Sequence, residues 1–130
     1  MLRRNLLLGV AGVAVLGVTG CATHPVSVQQ ATELPAAQLR TCIKRAAHRR
    51  GWRVVTDEPG KMSINYVKGP HVLVADVTYD NEGYMIEAVK EGSTLFNKDG
   101  TAHRKVNSWT ANLTVTIREE ENKILLRQTN

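Results

Sequence analysis

Residues 61–79 read KMSINYVKGPHVLVADVTY, and this stretch decides the fold. Within Lys61–Val67, Met62, Ile64 and Tyr66 alternate with Ser63 and Asn65, the period-two pattern of a strand with one buried face. Lys68-Gly69-Pro70 interrupts it with turn residues. His71–Tyr79 then resumes it, with Leu73, Ala75, Val77 and Tyr79 in one phase and Val72, Val74, Asp76 and Thr78 in the other. A connection this short joins antiparallel neighbours, because a parallel pair needs a crossover of about a dozen residues. Two more runs flank the hairpin. Trp52–Thr56 precedes it across Asp57-Glu58-Pro59-Gly60, and Tyr84–Lys90 follows Asp80-Asn81-Glu82-Gly83. The sequence predicts a four-stranded antiparallel meander.

Outward from the meander the period changes. Pro35 suits the first turn of a helix, and Ala36, Leu39, Ile43 and Ala46/Ala47 recur at helical spacing. Gly51 is placed as the stop, with Trp52 folding back onto Ala47. This predicts a helix over 35–50. Its remaining faces carry Arg40, Lys44, Arg45, His48, Arg49 and Arg50. They form either a solvated face whose last-turn cations suit the helix dipole or, through Arg40, Lys44, Arg45, Arg49 and Arg50, a contact for anionic lipid or phosphorylated glycan. Downstream, Glu91–Gly100 is a loop that Leu95 and Phe96 pin to the core. From there two periods compete. Leu113–Ile117 alternates like a strand and holds four β-branched residues, while Ala102, Val106, Trp109, Leu113, Ile117 and Ile124 follow a helical face. The longer period predicts a helix over 102–120, frayed at Glu119–Glu121, with 122–130 as a tail. The expected class is α+β: helix, meander, helix, both helices on one sheet face.

The start of the chain is of another kind. Arg3 and Arg4 precede Leu6–Gly20, an apolar run of 15 residues. A spanning helix needs about 20, and the small residues at the end of this run read as a cleavage site. Residues 22–34 (ATHPVSVQQATEL) are polar and lack a clean period, so the stretch up to residue 34 is expected to be a flexible tether and 35–121 the domain. Without residues 1–20 the chain carries 15 basic and 12 acidic side chains, a surplus of +3 that is too small for a nucleic-acid footprint.

Val18-Thr19-Gly20-Cys21 resembles the lipobox of bacterial lipoproteins. The resemblance implies diacylglycerol on the Cys21 sulfur, cleavage before Cys21 and acylation of the new amine. Ala22 stands where an Asp would resemble an inner-membrane retention signal, which implies the outer membrane of a Gram-negative host, the domain facing the periplasm. Over most of the remaining chain, Gly51-Trp52, Pro59-Gly60, His71 and His103-Arg104-Lys105-Val106-Asn107-Ser108-Trp109 are similar in order and spacing to a group of small bacterial lipoproteins of unknown function. Val106 departs from that group's Tyr, and Ser93-Thr94-Leu95 is more closely spaced than its Ser-x-x-Leu loop. The likeness implies a fold and a location and no activity.

Chemistry-bearing residues are sparse. His24, His48, His71 and His103 are scattered without ligand spacing, and no phosphate or dinucleotide fingerprint occurs, so no metal and no cofactor is expected. Ser93 and His103, with Asp99 or Asp76, are residue types for nucleophilic catalysis, yet no nucleophile elbow accompanies them. His103 and Asn107 lie one helical turn apart. They either hold the Ser93–Asp99 loop or form, with Ser93, a polar recognition patch. With Cys21 acylated, Cys42 has no intramolecular partner and is read as a small buried residue, a reactive or dimer-forming thiol being the alternative. The expected function is a non-catalytic, membrane-tethered envelope module for a protein, peptidoglycan or anionic-lipid partner. A small periplasmic hydrolase on Ser93 and His103, or a metal carrier, is the alternative.

Overall fold

The computed structural model describes residues 27–129. Its elements are β1 (Ser27–Ala31), α1 (Ala36–Arg49), β2 (Arg53–Glu58), β3 (Lys61–Lys68), β4 (His71–Tyr79), β5 (Gly83–Val89) and α2 (Arg104–Thr129). β2 to β5 pair in sequence order, all antiparallel, as the alternating runs and their short turns require. Gly60 accepts a φ of +80° in the two-residue β2–β3 turn, a conformation that costs glycine no steric clash. In the β4–β5 turn, Asp80 Oδ1 accepts from the amides of Glu82 and Gly83 at 2.8 and 3.1 Å.

Among the described residues the sheet has five strands, not four. Ser27–Ala31, expected within the flexible tether, pairs antiparallel with β5, from Ser27 opposite Glu87 to Ala31 opposite Gly83. The final order is β1-β5-β4-β3-β2. Val28 is the one apolar residue β1 sends toward the core, so alternation is nearly silent. What holds this edge is backbone pairing, the hydrogen bond from Thr32 N to Glu82 O, and the burial of Leu34.

One sheet face is closed by both helices. Met62, Ile64, Leu73, Ala75, Val77 and Ile86 pack with Leu39, Ile43 and Ala46 of α1 and with Val106, Leu113 and Ile117 of α2. Fully burying a side chain of this size is worth about 1.5–3 kcal/mol, so these residues dominate the stability. α1 ends as a Schellman motif: Trp52 N donates to Ala47 O, Gly51 N to His48 O, and Gly51 takes φ +84°.

Residues 113–117 are helical. Thr110, Thr114 and Thr116 turn their hydroxyls back to the carbonyls of Val106, Thr110 and Asn112, which satisfies these side chains inside the helix. α2 also continues through the predicted tail to Thr129. The glutamates expected to fray it are held from outside: Arg49 bonds Glu119 and Glu120, and Thr32 bonds Glu121. Among the described residues no helix is long and apolar enough to cross a membrane.

Candidate functional site

Ser93, Asp99 and His103, singled out for chemistry, lie at one end of the sheet, where β5 finishes at Val89 and the chain passes through residues 90–103 into α2. Beyond Val89 the loop takes over the pairing of β4. Ser93 Oγ donates to Val89 O at 2.6 Å and accepts from Val74 N at 2.8 Å. Thr94 N donates to Val72 O at 2.9 Å, and Thr94 Oγ1 accepts from Val72 N at 2.9 Å. Two hydroxyl side chains thus continue the strand ladder where the backbone has turned away. Leu95 is buried below, and Phe96 bridges to Ala102.

His103 closes the loop and opens α2. Its backbone N donates to Leu95 O at 2.8 Å, and its Nδ1 accepts from Lys105 N at 3.0 Å, so the imidazole caps the helix. The His71 ring lies 6.4 Å from it, centroid to centroid. Asn107 is half-buried, and its carbonyl receives the Thr110 hydroxyl at 3.2 Å. Asp99 Oδ1 accepts from Thr101 Oγ1 and Thr101 N, and these bonds hold its carboxyl below the usual range. Asp76 faces Lys61 at 3.9 Å.

These contacts decide what the cluster can do. A serine nucleophile needs its hydroxyl proton directed at a base, whereas the Ser93 proton goes to Val89 O and the capping His103 nitrogen already receives an amide. Surface concavities of about 310 Å³, against β1 and β5, and about 550 Å³, between α1 and Trp52, have neither Ser93 nor His103 in their linings. Among the described residues no three His, Cys, Asp or Glu side chains sit together as a metal would require.

The α1 cations are mostly engaged within the domain. Arg40 grips Asp57 with two bonds, at 3.1 and 2.5 Å, and Lys44 reaches the same carboxylate at 3.0 Å. The Arg40 and Lys44 bonds hold the Asp57 carboxyl below its usual range. Arg49 bridges Glu119 and Glu120, each at 2.9 Å, and Arg50 Nε donates to Thr116 Oγ1. Arg45 is exposed. The expected anionic-surface contact is therefore largely a set of clamps between α1 and its neighbours. Beside it, Tyr66 meets Trp109 edge-on at 4.7 Å and Trp52 at 5.4 Å, sealing the adjacent edge of the core.

A buried polar cluster escaped the sequence. Glu121, 8% exposed, receives the Thr32 hydroxyl at 2.6 Å, and Thr32 Oγ1 in turn accepts from Leu34 N. Burial pushes the Glu121 carboxyl up, against the Thr32 bond and the Arg118 charge, which pull it down. Cys42 lies nearby, and burial raises its thiol to about 11, with Glu121 and Glu120 adding to the rise. A thiol so placed is inert at neutral pH. The only sequence signal of this cluster was a glutamate run on a helical face that also holds Leu113 and Ile117.

Cys21 and His24 lie outside the described residues, as do the lipobox and the apolar run before it. No protein-family model matches the chain, and no curated protein matches it. The functional reading stands on residues and geometry.

Proposed function

We propose that this protein is a lipid-anchored bacterial envelope module, non-catalytic, held through Cys21 in the outer membrane with its domain in the periplasm. The carrying observation is one of placement. The sequence Val18-Thr19-Gly20-Cys21 ends the apolar run, and the core of the described residues, from Ser27 onward, is built from chain downstream of the proposed cleavage. One acyl chain binds membranes only marginally, and the several implied at Cys21 make a stable anchor.

The commitment of Ser93 and His103 to loop closure and helix capping supports a binding or accessory role over hydrolysis. The partner class is an envelope protein, peptidoglycan or anionic lipid. The test is metabolic acyl labelling with membrane fractionation in a bacterial host. The native chain is expected to take label and sediment with membranes, and Cys21→Ser to lose both properties. A Cys21→Ser chain that still labels and sediments would refute the anchor.

A further inference from the structure

Resting on that anchor reading, we propose that the end of the domain nearest Cys21 docks on the anionic phospholipid head groups of the membrane holding the anchor. The fold sets which end this is. β1 runs antiparallel to β5, with Ser27 opposite Glu87, so the chain enters beside the C-terminal end of β5. The β3–β4 turn, the 90–103 loop and the start of α2 gather at the same end. Ser27 follows Cys21 by six residues. Even fully extended, six residues reach about 22 Å at 3.6 Å each, less than the roughly 30 Å of a nine-residue strand such as β4. The anchor therefore keeps this end close to the lipid surface.

Charge orients it. The near end exposes Lys68, Lys90, Lys98, Arg104 and Lys105 against three carboxylates, Glu91, Asp99 and the Glu87 that stands opposite Ser27. Asp99 is already held by Thr101. Among the described residues none of the five cations forms an ion pair with a carboxylate, in contrast to Arg40, Lys44 and Arg49 on α1. The far end carries Glu33, Glu58, Asp80 and Glu82 against Lys61 and Arg127. A surface of negative head groups attracts the first set and repels the second.

A local conflict in α2 points the same way. A helix N-terminus favours acidic side chains, yet the first turn of α2 contains none and opens with Arg104 and Lys105. These two stand against the dipole and weaken the helix, a departure from local stability of the kind found at functional positions. Anionic head groups would relieve it by meeting both the side chains and the positive helix end. Val67, 60% exposed next to Lys68, adds apolar contact at the rim.

The test uses the chain from residue 21 with Cys21→Ser, and vesicles of phosphatidylcholine alone or in equal parts with phosphatidylglycerol. Sedimentation is expected to show binding to the anionic vesicles alone, weakening as salt rises. Each lysine near such a surface contributes roughly fivefold in partitioning. The Lys68→Gln, Lys105→Gln double variant should therefore bind about 25-fold more weakly, and Lys61→Gln, Arg127→Gln at the far end should bind as the parent does. Equal binding to both vesicle types, or equal losses from the two double variants, would overturn the proposal. Acyl labelling of the full chain reads the anchor separately. A labelled chain whose domain ignores anionic vesicles keeps the anchor and sinks the docking surface. An unlabelled chain whose domain binds them does the reverse.

Discussion

Gly83→Ala tests the element that changes this fold most, the edge strand β1. Gly83 starts β5 opposite Ala31, and a Cβ built there would stand 2.3 Å from Gln30 O and 3.1 Å from the Ala31 Cα. Ordinary van der Waals contact begins at 3.4 Å. Both obstacles are backbone, so relief requires β1 to move away from β5 by about 1 Å, enough to spoil hydrogen bonds whose usual length is about 2.9 Å. Overpacking of this kind costs about 1–3 kcal/mol, and two weakened bonds add about 0.5–1.5 kcal/mol each. A loss of about 2–6 kcal/mol follows, a large share of the 5–15 kcal/mol typical of a domain. Urea unfolding of the chain from residue 21 should show the midpoint falling by about 1–3 M, given a slope of about 2 kcal/mol/M. Gly69→Ala is the control: its Cβ meets nothing within 4 Å, and its φ of +59° costs about 1 kcal/mol. Amide exchange across Ser27–Ala31 should rise in Gly83→Ala alone. If Gly83→Ala is no worse than Gly69→Ala, with β1 amides still protected, the pairing of β1 with β5 is wrong.

Two further outcomes concern single buried groups. Burial raises the Glu121 carboxyl pKa in the folded chain, so its favourable contribution is complete below the unfolded pKa of about 4.3 and is lost as pH rises through the folded value. Glu121→Gln keeps an acceptor for Thr32 without the charge. It should melt higher than the parent at pH 8, with the gap closing toward pH 4; a gap independent of pH would remove the buried-carboxylate account. Ser93→Ala leaves Val74 N–H and Val89 C=O without the hydroxyl that joins them. It should cost about 1–3 kcal/mol in urea unfolding, and an unchanged midpoint would mean the hydroxyl does not carry the ladder.

The meander was legible because Met62, Ile64, Leu73, Ala75, Val77 and Ile86 obey one period and short turns separate them. α1 was legible for the same reason, down to its Gly51-Trp52 ending. The misses share a different physics, in which stability comes from polar groups whose partners lie far away in sequence. β1 has one apolar contributor and is held by backbone pairing. The last turns of α2 look repulsive as Glu119-Glu120-Glu121, yet Arg49 and Thr32, 89 positions or fewer away, take up all three. Lys123 and Arg49 hold the Glu120 carboxyl below its usual range although burial opposes ionisation, while its neighbour Glu121 is pushed up. Lys123, one turn on, reaches Glu120; the rest of the difference comes from Arg49 of α1 and from Thr32, which follows β1.

The same strand that was hidden in the sequence alters the functional reading. A tether over residues 22–34 would have let the domain work about 45 Å from its anchor at 3.3–3.6 Å per residue. With β1 zipped onto β5 from Ser27, at most about 22 Å remains. Reach gives way to orientation. If Cys21 carries the proposed anchor, a domain on so short a tether presents one end to the membrane, and the charges of Lys68, Lys90, Lys98, Arg104 and Lys105 match that position. On the proposed anchor, stability of the edge and placement at the membrane are coupled: whatever detaches β1, Gly83→Ala included, would lengthen the tether and free the cationic end from the lipid surface proposed for it.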